Sequence, residues 1–529
     1  MKSPAARALA RLSEMLATRR QSIAALALSL PAAASVSGSP AAAEVDRKRD
    51  SKRRRRRKPA YGSCEPTGRR CDSSKNQGRR CSKCCTRHTV DVGGKRRCAC
   101  RPDGMAAAPR GASTCCSGRA LGGVCVPAGG NCSSSSDCTG ASDTCTNGVC
   151  TCGGAVCAGI CVDGACRACA RSSECASGLV CLSGQCGLWQ PVATVGQYNS
   201  PSADADAFSS PENVSFNGDG LIMAVADNAN NRVALWTRPN ARSFDWTPQS
   251  FVPAQTTTAG SADGKLDGPE TALLTPDGLT LYIADADNDR VVVWTRAQAT
   301  DTTWTFQSKF GSYGTDGSAP QDIDYVNRVW VSPDQLRVYV SSFGTDRNNA
   351  RVLVWARSTA TATDWTWQYN VPGDGTNIDG TGPAQFDKVW GAWLTPDELT
   401  MYVADGSDND RVSVWTRTSI ASTNTWQHQY NFGSEGESGN QLDSPETAVP
   451  TSDGLLIFVV DQDNDRLSVW ARDSASSQNW WPAVLIGDEI SALLEVPGGF
   501  DTPDDFQTLY IADTDNERVA IWSFVPASQ

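Results

Sequence analysis

Residues 281–294 read LYIADADNDRVVVW, and close variants of this stretch occur six times in the chain. Each copy contains a short apolar run, a turn rich in Asp and Asn, an arginine and then alternating aliphatic residues. The third copy is irregular and carries an insertion at 343–348. The spacing between copies, 52 to 61 residues, is typical of propeller blades or solenoid coils, as measured between Arg232, Arg290, Arg351, Arg411, Arg466 and Arg518.

The segment after each arginine predicts a strand that is buried on both faces. The first and third residues beyond the arginine are aliphatic in every copy, and the fourth is tryptophan. Successive side chains of a strand point to opposite faces, so this pattern places apolar groups on both. A blade packed between two neighbours needs such strands. We therefore predict six core tryptophans: Trp236, Trp294, Trp355, Trp415, Trp470 and Trp522.

Each repeat has enough sequence for four strands, the content of one propeller blade. An inner strand precedes a Pro-Asp-Gly-type turn such as 275–278. An outer strand is marked by a further tryptophan in each of five repeats: Trp246, Trp304, Trp367, Trp426 and Trp481.

Closure of the ring can also be predicted. The last repeat stops near Phe524 without an outer strand, whereas residues 188–192 resemble an outer strand and have no repeat of their own. Pairing this strand with the last repeat would remove both open sheet edges. The predicted fold is all-β: a six-bladed β-propeller whose N-terminal strand closes the last blade, preceded by a small disulfide-rich region.

The six in-register copies resemble the NHL-repeat family, in the secreted bacterial form fused to a cysteine-rich module. The resemblance covers nearly all of residues 187–529. It implies a β-propeller that commonly serves as a binding platform.

Charge and cysteine content divide the chain. Residues 1–186 hold 30 basic and 12 acidic side chains and all 22 cysteines, whereas residues 187–529 hold 18 basic and 46 acidic side chains.

A basic start, a short apolar run and small residues up to Ala43 have the layout of an export signal, predicted at 1–43. Residues 18–23, TRRQSI, resemble the twin-arginine signal class. The protein is therefore predicted to be secreted or located in the cell envelope.

Residues 44–63 form a predicted disordered basic linker. Seven consecutive cations at 52–58 repel one another and have no apolar group to bury. One interpretation is a soluble spacer. The other is adhesion to anionic envelope polymers, which salt would weaken.

The cysteine-rich region, 64–186, is predicted to be stapled by disulfides. It has few large apolar side chains, and loops of Gly, Ser, Thr and Asn separate its cysteines. Such composition is typical of small secreted modules. Zinc is the competing interpretation, because Cys81 to Cys84 and Cys166 to Cys169 have ligand-like spacing.

The Asp- and Asn-rich turns partly resemble calcium loops but lack the glycine and distal glutamate of that motif. A structural role is favoured: these side chains stabilise tight turns, and the arginine pairs with the first aspartate and covers a tryptophan.

Alignment of the inner strands places one residue of each repeat at a common end of the channel. Glu212, Glu270, Asn327 and Glu446 occupy four of these positions, and Trp390 and Gly498 the other two. Carboxylate and amide oxygens suit calcium, so the four residues form a candidate metal site. Lactonases of the gluconolactonase type have a similar six-bladed fold with an acidic and amide calcium site.

The predicted function is extracellular binding or scaffolding, with a protein or glycan ligand at a propeller face. No cofactor is predicted, with calcium as the one candidate. The alternative is a calcium-dependent, lactonase-like hydrolase at the channel mouth. The acidic charge of the propeller disfavours nucleic-acid binding. The propeller has one histidine, His428, which disfavours zinc or catalytic-triad chemistry. No apolar run is long enough for a transmembrane helix.

Overall fold

The computed structural model describes residues 168–526 except 176–177, 255–257, 312–318, 345–349, 374–379, 422 and 488–492. Before residue 168 it describes only the backbone of nine short strands. The predicted export signal and basic linker lie outside the described residues. No helix of the described part has the length and hydrophobicity needed to span a membrane. The early strands are β1 His88–Val92, β2 Lys95–Ala99, β3 Ala120–Leu121, β4 Val124–Cys125, β5 Thr144–Thr146, β6 Val149–Cys152, β7 Ala155–Val156, β8 Ile160–Val162 and β9 Ala165–Arg167.

The early strands belong to two compact units of the chain. One unit comprises residues 1–91 and 95–99, and the other comprises 92–94 and 100–529. The strands pair antiparallel as β1-β2, β3-β4, β5-β6-β7 and β8-β9.

Six antiparallel sheets form the propeller, which confirms the predicted fold. The inner strands of successive blades contact one another, and that of the sixth contacts that of the first, so the ring is closed. The strands are, for blade one, β12 Pro211–Phe216, β13 Ile222–Asp227, β14 Arg232–Thr237 and β15 Thr247–Val252; for blade two, β16 Pro269–Leu274, β17 Thr280–Asp285, β18 Arg290–Thr295 and β19 Thr305–Gly311; for blade three, β20 Val326–Val331, β21 Arg337–Ser342, β22 Arg351–Ala356 and β23 Thr366–Val371; for blade four, β24 Lys388–Leu394, β25 Thr400–Gly406, β26 Arg411–Thr416 and β27 Gln427–Phe432; for blade five, β28 Pro445–Pro450, β29 Leu456–Asp461, β30 Arg466–Ala471 and β31 Trp481–Ile486; and for blade six, β32 Pro497–Asp501, β33 Thr508–Asp513, β34 Arg518–Pro526 and β11 Gln185–Val195.

The strand before the first repeat closes the ring as predicted. β11 pairs antiparallel with β34, and Trp189 lies opposite Phe524. A further strand, β10 (Val180–Leu182), extends this sheet. The outer edge of blade six therefore comes from the other end of the propeller sequence.

The six core tryptophans are buried, with at most 8 % of their surface exposed. The aliphatic residues before them are almost fully buried, as a strand packed between two blades requires. At about 25 cal/mol per Å² of apolar surface removed from water, these layers are the main source of stability.

The acidic turns have a structural role in five blades. In each, the arginine Nε donates to the first aspartate at 2.6–3.0 Å, and that aspartate also accepts a backbone N–H from the residues before the inner strand. In blade three, Ser342 replaces the aspartate, and Arg351 donates to the carbonyl of Asp322. These contacts account for the repeated Asp and Arg without a metal ion.

The residue just before the repeat arginine joins neighbouring blades. In five blades it adopts a left-handed conformation and its side chain accepts a backbone N–H from the start of the next blade. Asn and Asp suit this role because they tolerate positive φ and carry a short acceptor. The bonds are 2.7–3.1 Å long and join Asn231 to Gly268, Asp289 to Tyr325, Asp410 to Ser444, Asp465 to Val496 and Glu517 to Ser210.

Arginine side chains cover aromatic rings in the blades. The repeat arginine lies over Phe251 in blade one and Tyr198 in blade six. A second arginine, two residues beyond the core tryptophan, stacks on a tryptophan before the outer strand at 4.4–4.9 Å. These pairs are Arg238–Trp246, Arg296–Trp304, Arg357–Trp365, Arg417–Trp426 and Arg472–Trp480. Trp367 and Trp481 lie within the outer strands β23 and β31, as predicted.

Two disulfides link the last four cysteines. Cys169 pairs with Cys181, and Cys175 pairs with Cys186. These sulfurs are therefore not zinc ligands, which confirms disulfides for this part of the cysteine-rich region.

Candidate functional site

Three rings of side chains line the central channel, because the six inner strands run in the same direction. The strand register places equivalent residues at the same height. We define the upper ring as Glu212, Glu270, Asn327, Trp390, Glu446 and Gly498; the middle ring as Asn213, Thr271, Arg328, Gly391, Thr447 and Gly499; and the lower ring as Ser215, Leu273, Trp330, Trp393, Val449 and Asp501.

The upper ring contains the four predicted site residues. Glu270 accepts hydrogen bonds from the Tyr325 hydroxyl and, at 3.2 Å, from the amide of Asn228. Glu446 accepts one from Gln462 at 2.8 Å. Glu212 accepts one from the Thr514 hydroxyl at 3.5 Å, so turn residues contact all three glutamates.

The pKa values of the upper-ring glutamates are raised. Burial raises the pKa of Glu270 to about 7 and, with repulsion from Glu270, the pKa of Glu446 to about 8. Burial and the other two glutamates raise the pKa of Glu212 well above its usual value. Three neighbouring buried carboxylates with raised pKa values hold a proton or a cation more readily than three negative charges.

The glutamates do not form a compact metal cage. Within the described residues, the only three acidic, imidazole or thiol ligand atoms within 4.8 Å of one another belong to Cys169, Cys175 and Cys186, which are in disulfides. A cation shared by the upper ring would therefore draw the carboxylates inwards. The calcium site stays a prediction.

Arg328, which the sequence reasoning missed, crosses the channel below the glutamates. It starts in blade three and donates to the carbonyl of Gly498 in blade six, the opposite blade. Its guanidinium lies 3.8 Å from Glu446, and only 9 % of its side chain is exposed. Its charge stabilises the ionised upper ring.

Glycines make room for this arginine. A Cβ at Gly499 would lie 2.5 Å from Nη1 of Arg328, and one at Gly391 would clash with the carbonyl oxygen of Glu446 and lie 3.3 Å from Cγ of Arg328. Contacts under 3 Å force atoms to move, so a larger residue at Gly499 would displace the guanidinium. The two glycines and the arginine are complementary departures from the repeat.

Below Arg328 lies a cavity of about 330 Å³, bounded by the middle and lower rings. Its walls include Phe216, Trp330, Trp393 and Phe500, and its polar groups include Asp501. An apolar cavity with a few convergent polar groups is the usual form of a ligand site. The sequence reasoning located the upper end of the channel but missed this lower site.

Asp501 is the one charged residue of the lower ring. Its carboxylate accepts backbone N–H groups from Phe216 at 3.1 Å and Thr502 at 2.8 Å. Burial raises its pKa to about 7, partly offset by these two bonds.

Comparison of the sequence with protein-family models and with curated proteins gives no match. Three similar solved structures are a Lactobacillus plantarum protein (17 % identity, 52 % of this chain and 72 % of that chain, TM-score 0.38), a periplasmic gluconolactonase of Pseudomonas aeruginosa (16 %, 65 % and 90 %, 0.43) and a hydrazine synthase of Kuenenia stuttgartiensis (13 %, 62 % and 99 %, 0.39). The fold and the channel define the chain as a six-bladed β-propeller protein. Similarities of this size say nothing about its activity.

Stability is expected to fall as the pH rises, and Glu446→Gln is expected to reduce this dependence. The folded-state pKa of Glu446, about 8, exceeds its usual value of 4.5, so its protonation stabilises the fold below pH 4.5 and this stabilisation is lost as the pH rises through 8. Denaturant titrations at pH 5, 6, 7 and 8 should show a slope shallower by up to about 1.4 kcal/mol per pH unit in the variant. Glu437→Gln, at an exposed position, is the control; an unchanged slope in Glu446→Gln would contradict the assignment.

Proposed function

We propose that this protein is exported, is secreted or held in the cell envelope, and works there as a binding or scaffold protein. Its propeller, of the NHL-repeat type, is the interaction platform and binds a protein or glycan ligand at one face. The cavity below Arg328, called the lower cavity, is the main support for this proposal, because it combines aromatic walls with few polar groups. Of the two ligand classes, the pair Trp330 and Trp393 favours a glycan, since flat apolar rings pack against sugar faces.

The contacts of the channel support binding rather than catalysis. His428, the histidine of the propeller, lies on an outer strand, where its Nε2 contacts Asn431 at 2.9 Å. Neither histidine nor cysteine occurs among the three rings defined above. Ser215 donates to the carbonyl of Ala272, so its hydroxyl is already engaged.

The proposed location is supported by the two disulfides, which persist in oxidising compartments. The basic linker at 44–63 would add contacts with anionic envelope polymers, which salt would weaken.

Binding can be measured by biolayer interferometry with the purified chain against a glycan array, isolated cell-wall polysaccharides and envelope proteins. Trp393→Ala is expected to weaken the interaction by about tenfold or more, because it removes a wall of the cavity. A matched variant, Phe244→Ala, changes an exposed aromatic residue away from the channel. Absence of binding to all three sets of components would overturn the proposed function.

The alternative function is a calcium-dependent hydrolase of the lactonase type, with Glu212, Glu270, Asn327 and Glu446 as metal ligands. The three carboxylates with raised pKa values favour this candidate, because a divalent cation would replace their protons.

Calcium at 100 times its dissociation constant is expected to stabilise the wild-type protein by about 2.7 kcal/mol. Glu270→Ala should abolish this increase, whereas Asp263→Ala, an exposed acid of the same blade, should retain it. Thermal melts with 5 mM calcium or EDTA test the metal site, and turnover of lactones and esters tests the hydrolase. Identical melts with calcium and EDTA would contradict the metal site.

A further inference from the structure

We propose that the lower cavity binds an ammonium group, held by Asp501 on one side and by the indole rings of Trp330 and Trp393 on the other. The inference deepens the proposed binding function and rests on it, because it names the chemical group that the channel recognises. The sources of such a group are an amino sugar or a lysine side chain.

The positions in the ring place these groups around one space. Asp501 belongs to blade six, and Trp330 belongs to blade three, which is the opposite blade of a six-membered ring. Trp393 is contributed by blade four, and all three residues line the cavity of about 330 Å³. A guest in the cavity therefore has a carboxylate on one side and aromatic rings across from it.

Within the described part of the chain, no cationic side chain pairs with Asp501. Among the described residues, its hydrogen-bond donors are the backbone N–H groups of Phe216 and Thr502, and burial alone raises its pKa. A carboxylate has about four acceptor positions, so two bonds do not saturate it. An ammonium guest would supply the missing counter-charge.

Tryptophan is the best aromatic partner for a cation, because the face of its ring is electronegative. Trp330 is 9 % exposed and packs edge-to-face against Tyr339 at 5.6 Å, so its ring is held in place by the blade core. A fixed ring loses little conformational entropy when a guest binds.

The charge of the surroundings favours a cation over an anion. Residues 187–529 hold 46 acidic and 18 basic side chains, which attracts cations over long distances. Arg328 also borders the cavity, but its guanidinium is directed to Gly498 and to the upper-ring Glu446. The lower ring itself carries one charged residue, and that residue is acidic.

The test is isothermal titration calorimetry on the full chain with paired probes that differ in one charge. D-glucosamine is compared with N-acetyl-D-glucosamine, and Nα-acetyl-lysine amide with its Nε-acetylated form. The charged member of at least one pair is expected to bind about tenfold or more tightly than its neutral partner. The pair that binds identifies the source as an amino sugar or a lysine side chain.

Asp501→Asn is expected to weaken binding of the charged probe by about tenfold to a hundredfold. Asparagine keeps one acceptor for the backbone, and a thermal melt verifies that the variant is folded. Asp263→Asn removes an exposed carboxylate outside the cavity and should bind as wild type does.

Equal binding of charged and neutral probes, binding of none of the four, or unaltered binding by folded Asp501→Asn would overturn the ammonium assignment. These outcomes are distinct from failure of the proposed function. If the proposed function is wrong, no glycan or envelope protein binds the chain at all. If only the ammonium site is wrong, such binding remains and is unaffected by Asp501→Asn.

Discussion

Trp189→Ala is expected to destabilise the propeller by about 3–5 kcal/mol, the usual loss for a buried tryptophan. The side chain is 2 % exposed and packs edge-to-face against Phe458 and Phe524, each at 5.1 Å. Its Nε1 donates to the carbonyl of Phe506 at 2.7 Å. The residue thus joins the closing strand to blades five and six at once, and its removal leaves both a cavity and an unpaired carbonyl.

The measurement is equilibrium denaturation monitored by circular dichroism, since fluorescence reports on many other tryptophans. Trp189→Phe should recover part of the loss, because it refills the cavity but does not restore the hydrogen bond. Val192→Ala, at a position of the same strand that is 45 % exposed, is the matched control and should change stability by less than about 0.5 kcal/mol. A Trp189→Ala variant as stable as wild type would show that ring closure does not depend on this residue.

Glu398→Ala is expected to cost about 3–5 kcal/mol, because it breaks a buried ion-pair network between blades three and four. Arg337 donates to both carboxylate oxygens at 2.6 and 2.7 Å, and the Tyr339 hydroxyl donates at 2.8 Å. Arg417, whose side chain is 0 % exposed, lies 3.4 Å away. Loss of the carboxylate leaves these donors without their shared acceptor.

Glu398→Gly separates the network from backbone strain. Glu398 has a φ of +56°, and Gly220, Gly278 and Gly454 occupy the equivalent position in other blades. The glycine variant should therefore fit the turn yet still be destabilised by several kcal/mol. Stability close to wild type in both variants, measured by denaturant titration, would mean that the network contributes little.

The repeated features of the fold were predictable from the sequence. The β-strand after each arginine, the buried tryptophans and the pairing of residues 188–192 with the last blade all follow from a pattern that occurs six times. Each repeat forms a blade that packs against neighbouring blades of similar sequence, so the residues shared by all copies lie mainly in the core. Alignment of the inner strands also placed Glu212, Glu270 and Glu446 at one height of the channel.

The features that distinguish this channel were not predictable in the same way, because they are departures from the repeat. Arg328 stands in a column that otherwise contains small or polar residues, and Asp501 is the one acid in its column. Their contacts are with residues of other blades, so these contacts can be identified only from the three-dimensional structure.

The closing strand has a consequence for synthesis of the chain. Trp189 and its acceptor Phe506 are 317 residues apart in sequence, and β34, the partner of β11, is the last of the described propeller strands. A nascent chain that stops before residue 518 has no place for β11 and exposes sheet edges at both ends. Ring closure therefore waits until β34 has been translated, and shorter products that lack it leave sheet edges open to pairing and proteolysis.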